Sequence, residues 1–313
     1  ITTDLSLPTT HVQAKFNTFQ QALIQGKANI PLYRRDFLDA CITYADDLRV
    51  RERPNIDDLG EKILEDASTL KRVRDHIVDW VLLESELGEN DRFSDVLIDF
   101  LERLIELKSR PPELNRWNDA WFEAHSVFVY ETFLYIVASL IKTEAFDILH
   151  EIFTTHYLSP KSMRHGDRNF EKFDVFCGHS SSLQSVLAPE EMTLHSPAAE
   201  LIKRHADRGD IFFEKIIEAE LIALLMSFLT PNIYWDPQTL YYHSYDTDVV
   251  FFVRAIQHKH FRKLATITGV QDVETLREKI KTEKENFNRG YGTRFFRFDI
   301  LSIIKLDKLD TIK

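Results

Sequence analysis

Apolar side chains recur along most of this chain with the pitch of an α-helix. Val12, Phe16, Phe19 and Leu23 fall at i, i+4, i+7 and i+11, and Gly26 follows as a helix stop. Asn29 and Pro31 start a second helix with the stripe Tyr33, Phe37, Cys41 and Tyr44, closing before Pro54. Asn55 caps a third helix through Leu59 and Ile63, and Leu70, Val73, Ile77, Trp80 and Val81 mark a fourth that ends at Gly88. Beyond Asn90, Phe93, Leu97, Phe100, Leu101, Leu104 and Leu107 form a wide stripe that Asp95, Asp99, Glu102, Arg103 and Glu106 oppose, and Pro111-Pro112 ends it.

From Leu114 to Ile141 nothing breaks the helical pattern, and its second half is apolar on nearly every side, as in a central helix packed on several faces. Thr143 starts a shorter helix through Phe146, Leu149, Ile152 and Phe153, stopped by Ser159-Pro160. Periodicity then lapses over residues 159–195, a linker or elaborated loop. Ser196-Pro197 reopens a helix to Asp207, and Ile211 to Leu229 forms a second buried one ended by Pro231. Val249 to Thr266 and Asp272 to Phe287 read as two more helices, while Thr293 to Leu309 fits either a strand or a helix. These elements predict an all-α protein, with at most a minor strand near the C-terminus: an N-terminal helical bundle (1–158), the connection 159–195 and a C-terminal helical lobe (196–313). An irregular array of paired helices fits the same pattern.

Composition sharpens this picture. Nine Gly and ten Pro in 313 residues is about half the usual share of the two helix breakers. A net charge of −11 disfavours nonspecific nucleic-acid binding, and 44% hydrophobic residues exceed what a disordered chain carries. Two cysteines, Cys41 and Cys177, make no disulfide framework and fit a reducing, cytoplasmic setting. The apolar runs Ser126–Ile141 and Ile216–Leu229 are too short for a bilayer and carry Glu131, Glu218 and Glu220, so no membrane association is expected. The chain opens at Ile1 without an initiator Met or a signal-peptide pattern, which suggests an accessory region of a longer intracellular protein.

Catalytic motifs mostly fail on spacing. No phosphate-binding GxxxxGK[ST] loop is present. His150 and His156 stand six residues apart, so on one helix their imidazoles diverge by about 120° and cannot share a zinc ion. His165, Asp167, Asp174, Cys177 and His179 hold metal-capable atoms without a CxxC pair, and read as an ordinary polar loop; no metal and no cofactor are expected. Phe173 to Ser182 resembles a strand entering a nucleophile elbow at Cys177 or Ser180, but the final glycine is Ser182 and no parallel sheet is predicted to carry it.

Arg254 and His260, in Arg254-Ala255-Ile256-Gln257-His258-Lys259-His260, have the R-x(4–6)-H spacing and resemble the catalytic pair of HEPN-type ribonucleases over those seven residues. That resemblance implies His260 as the acid/base group and Arg254 as a clamp on the scissile phosphate, without metal. Ala255 stands where the family often has a polar residue. Read without it, His258, Lys259, His260, Arg262 and Lys263 form a basic helix end ahead of Gly269, opposing the negative end of the helix dipole.

The densest local signal is aromatic: Tyr234, Trp235, Tyr241, Tyr242 and Tyr245 lie within twelve positions, beside Pro237 and His243. Such rings suit a ligand or peptide surface, and equally a satellite core under a loop. As a ligand site, Tyr234, Trp235, Tyr241, Tyr242 and His243 would face the cations His258, Lys259, Arg262 and Lys263 just downstream. The expected function is a non-catalytic interaction or sensor module that binds a protein partner or a small anionic ligand. A metal-independent ribonuclease and a purely structural scaffold are the alternatives.

Overall fold

A computed structural model describes residues 6–55, 57–87, 92–159, 169–188, 193–244, 247–291 and 299–313. Helices α1 (Ser6–Ile24) and α2 (Ile30–Asp47) form an antiparallel hairpin. Gly26 makes its turn in the left-handed region, at φ 61°, where a side chain would be strained. The expected third and fourth helices are one continuous rod, α3 (Leu59–Leu87), followed by α4 (Phe93–Leu107). No proline or glycine separates Ile63 from Leu70, so the stripe runs on.

The central element is α5 (Glu123–Lys142). It is buried on nearly every face and packs against α3, α4, α6 (Phe146–Thr154) and α9 (Phe213–Leu229). Its start lies nine residues beyond Leu114, because Asn118 accepts a hydrogen bond from Ala120 N–H (3.0 Å) and turns Asp119–Phe122 into a 3-10 segment. Among the described residues, Asp119–Lys142 is the stretch long and apolar enough to cross a membrane, and the rest of the protein encloses it.

The connection 159–195 is partly built. Strands β1 (Tyr157–Leu158) and β2 (Phe170–Glu171) pair antiparallel, Tyr157 opposite Glu171, and a 3-10 turn (Phe173–Phe176) and α7 (Gln184–Leu187) follow. Phe173 and Phe176 of this stretch sit in the same apolar cluster as Phe133 of α5 and Trp235. That cluster extends from Val12 to Leu309.

Ser196 caps α8 (Pro197–His205) by accepting from Ala199 N–H at 3.0 Å, as the Ser-Pro signal predicts. The expected helix from Val249 to Thr266 is broken into α10 (Val250–Arg254) and α11 (His258–Thr268). The cause lies at the far end of the chain: Asp310 N–H and Ile312 N–H donate to the carbonyls of Ala255 and Ile256 (both 3.0 Å), and His258 N–H donates to Ile312 carbonyl (2.8 Å). The break overturns the reading of His258, Lys259 and His260 as a C-terminal helix end: they occupy the first turn of α11, the positive end of its dipole. Gly269 does end that helix, at φ 66°. The chain closes with α12 (Val273–Tyr291), α13 (Ile300–Ile303) and a 3-10 turn at Leu306–Lys308, so the ambiguous last segment is helical where it is described; residues 293–298 lie outside the described part. Thirteen α-helices and one two-stranded sheet among the described residues make the fold all-α.

Candidate functional site

The chain turns at the C-terminal end of α5. Thr143 ends the helix, Glu144 adopts φ 59°, and Ala145 N–H reaches back to Leu140 carbonyl at 2.9 Å. This is the six-to-one closure that usually places glycine at the left-handed position. A glutamate there costs roughly 1 kcal/mol of backbone strain, and such strain often accompanies a functional constraint. Its carboxylate pairs with Lys263 of α11, which holds the carboxyl below its ordinary range.

Both partners line a cavity of about 320 Å³. One wall is the end of α5 and the start of α6: Ala138, Ile141, Lys142 and Phe146. A second is the entry to α9, with Asp210, Ile211, Lys215 and Glu218. The third comes from α10 and α11: Val250, Phe251, Arg254, His260 and Lys263. The volume falls within the range of small-ligand sites, and the lining mixes apolar walls with a few convergent charges.

The charges are unequally paired. Lys215 bonds Glu218 at 3.1 Å, and Glu218 also accepts from Phe251 N–H at 3.2 Å. Lys142 lies 3.8 Å from Asp210, whose carboxylate is held closer by Arg208 at 2.8 Å and sits below its ordinary range for that reason. Arg254 has no carboxylate partner among the described residues. His260 is pushed below its ordinary pKa by loss of hydration and by the charges of Lys263, Arg254 and Lys259.

Arg254 and His260 thus line one cavity although helical periodicity would set them about 120° apart; the break between α10 and α11 turns both toward it. Of the other sequence-derived site residues, Lys263 joins them. His258 pairs with Asp310 at 2.7 Å on the surface, and Lys259 and Arg262 are exposed outside the cavity. The aromatic residues lie elsewhere. Trp235 is fully buried, with Phe133, Phe173 and Tyr130 rings 5.7–5.8 Å away. Tyr241 stacks on His195, and Tyr242 donates to Glu200 at 2.6 Å beneath Lys203. Tyr234 and His243 are half-buried, and Tyr245 lies outside the described residues.

The same segment is clamped from below by Glu220. This carboxylate, enclosed in α9, accepts from Tyr130 hydroxyl, from Thr239 hydroxyl at 2.6 Å, and from the N–H groups of Gln238 (3.0 Å), Thr239 and Leu240 (3.2 Å). Burial outweighs those donors and pushes its pKa up to about 7.

The remaining motifs have structural explanations. The Cys177 thiol is pushed up to about 12 by burial, which makes it a poor nucleophile. Ser180 donates to Glu123 at 2.7 Å, Ser181 at 3.1 Å and Ser182 N–H at 3.0 Å, so the serines tie the loop to the start of α5. Gly178 is required by a close approach, since a Cβ there would lie 2.2 Å from Ser126 carbonyl oxygen. His150 donates to Ile267 carbonyl at 2.9 Å, and His156 is exposed. Of the loop cluster, His165 and Asp167 lie outside the described residues, and no metal-ligand group of three occurs among the rest. No sequence pattern marks Lys142, Glu144, Asp210, Lys215 and Glu218 as one site; only the packing of α5 and α9 brings them to the cavity. No family model, curated protein or solved structure matches the chain.

Proposed function

We propose that the chain is a non-catalytic binding module whose cavity between α5, α6, α9, α10 and α11 receives a small anionic ligand. The supporting observation is Arg254, a guanidinium at the cavity wall without a carboxylate partner among the described residues, next to lysines that each have one. An anion there gains a charge-assisted hydrogen bond without displacing an internal pair. The strained Glu144, which holds Lys263 in place, also supports a site at this corner.

A thermal-shift screen against small carboxylates, phosphate esters and nucleotides tests the reading, beside Arg254→Ala. Stabilisation that is concentration-dependent in the parent protein and abolished in the variant is the expected result. A screen in which no anion raises the melting temperature removes this function.

A metal-independent ribonuclease is the second reading, because Arg254 and His260 line the same cavity. His260 supplies the acid/base group and Arg254 the phosphate clamp that such cleavage needs. Incubation with mixed RNA in EDTA separates the two: cleavage lost on His260→Ala supports the enzyme, and intact RNA with both proteins supports the binding module.

A further inference from the structure

The cavity's charge balance narrows the ligand class, an inference that rests on the anion-binding reading above. Four cations line it, Lys142, Lys215, Arg254 and Lys263, against three carboxylates, Glu144, Asp210 and Glu218. Lys263 is taken by Glu144 and Lys215 by Glu218, while Lys142 shares Asp210 with Arg208. Among the described residues the unpaired remainder is one charge, on Arg254. A doubly charged head group would bring a second negative charge toward three carboxylates, while each of the other lining cations already stands beside one of them. A single negative charge matches the excess.

Apart from His260, the rest of the lining is apolar. Ala138, Ile141, Phe146, Ile211, Val250 and Phe251 supply it, and the rings of Phe146 and Phe251 lie 6.1 Å apart with a 58° tilt. Lys263 Nζ stands 5.8 Å above the Phe146 ring, so its charge faces an aromatic surface as well as Glu144. A bare inorganic ion would leave these walls wetted, whereas a compact apolar body buries against them at about 25 cal/mol per Å². The planar guanidinium of Arg254 matches a carboxylate with two parallel hydrogen bonds.

We propose that the ligand is a monocarboxylate on a compact apolar or aromatic body, its head on Arg254 and its body against Phe146 and Phe251.

Four matched probes test this by calorimetric titration of the whole chain: 3-phenylpropionate, 3-phenylpropanol, phenyl phosphate and inorganic phosphate. The expected result is that 3-phenylpropionate binds at least tenfold tighter than each of the others. Arg254→Ala and Arg254→Lys should each weaken it about tenfold or more at unchanged melting temperature, since Arg254 is exposed and lysine cannot reproduce the two-pronged contact. Phe251→Ala should weaken 3-phenylpropionate and leave inorganic phosphate where it was. Tighter binding of phenyl phosphate or inorganic phosphate overturns the monocarboxylate while leaving the anion site standing. Equal binding of the alcohol overturns it too, because the head group then contributes nothing. Absence of binding by all the anions overturns the site itself.

Discussion

Glu220 is an acid enclosed on every side and met only by hydrogen-bond donors that carry no charge. Its folded pKa of about 7 lies above the 4.5 of a free glutamate, so the folded protein holds a proton that the unfolded chain has released between those values. Stability from this group is therefore complete below pH 4.5, declines as pH rises, and is gone above about 7. The shift corresponds to roughly 3 kcal/mol as an upper bound. His125, buried against Ala45 carbonyl and lowered to about 4, acts in the opposite sense, losing stability as pH falls from 6.5. The two effects overlap in the parent protein, so the difference between parent and Glu220→Gln isolates the first. Urea denaturation at pH 5 and pH 8 is expected to show the parent gaining on the variant at the lower pH, and a pH-independent difference would mean that Glu220 does not titrate in this range. The sequence announces this residue, a carboxylate inside Ile216–Leu229, but only as an obstacle to membrane insertion. Its five donors come from residues up to 90 positions away, which no local pattern reveals.

Among the elements, the α10–α11 break decides whether a site exists. Local preference gives no reason for it: Ala255, Ile256 and Gln257 are ordinary helix residues. The competing partner is backbone from Asp310 to Ile312, which takes the carbonyls of Ala255 and Ile256. Replacing Ile312 by proline deletes the N–H that bonds Ile256, whereas Ile312→Ala keeps it. Ile312 is more than half exposed, so the alanine variant should behave like the parent. Ile312→Pro should lose about 1 kcal/mol of stability. It should also bind 3-phenylpropionate several-fold more weakly than Ile312→Ala, as Arg254 and His260 lose their fixed relation. Matching affinities for the two variants in the same titration would show that the tail does not shape the cavity. Helices with a clear apolar stripe and a local stop, such as α1 and α4, are legible because burial and capping act within them. The Arg254–His260 spacing is legible as a pattern, but its meeting with Lys142, Glu144 and Lys215 is a product of long-range packing.

Across the whole molecule, α5 is the shared support. The long apolar run in the sequence predicts a helix packed on several faces, and Phe133 shows what that entails. Its ring stacks on Phe176 at 4.4 Å, meets Phe153 edge-on at 6.0 Å and lies 5.7 Å from Trp235. The contacts therefore come from α6, from the 159–195 connection and from the aromatic segment beyond α9. In the sequence Trp235 fits a ligand surface and a satellite core under a loop equally, since Pro237 marks a loop; it is core because that loop folds back over α5. Removing the ring in Phe133→Ala should cost about 3–5 kcal/mol through lost contacts and a residual cavity. Since Phe153 and Trp235 lie on opposite sides of the 159–195 connection and Phe176 within it, the loss should fall on both sides. Native-state hydrogen exchange is expected to show the most protected amides of α3 and α9 losing protection by the same factor, within one urea transition. Protection lost on only one side of residues 159–195 would instead mark two units that unfold separately, with α5 stabilising one of them and merely touching the other.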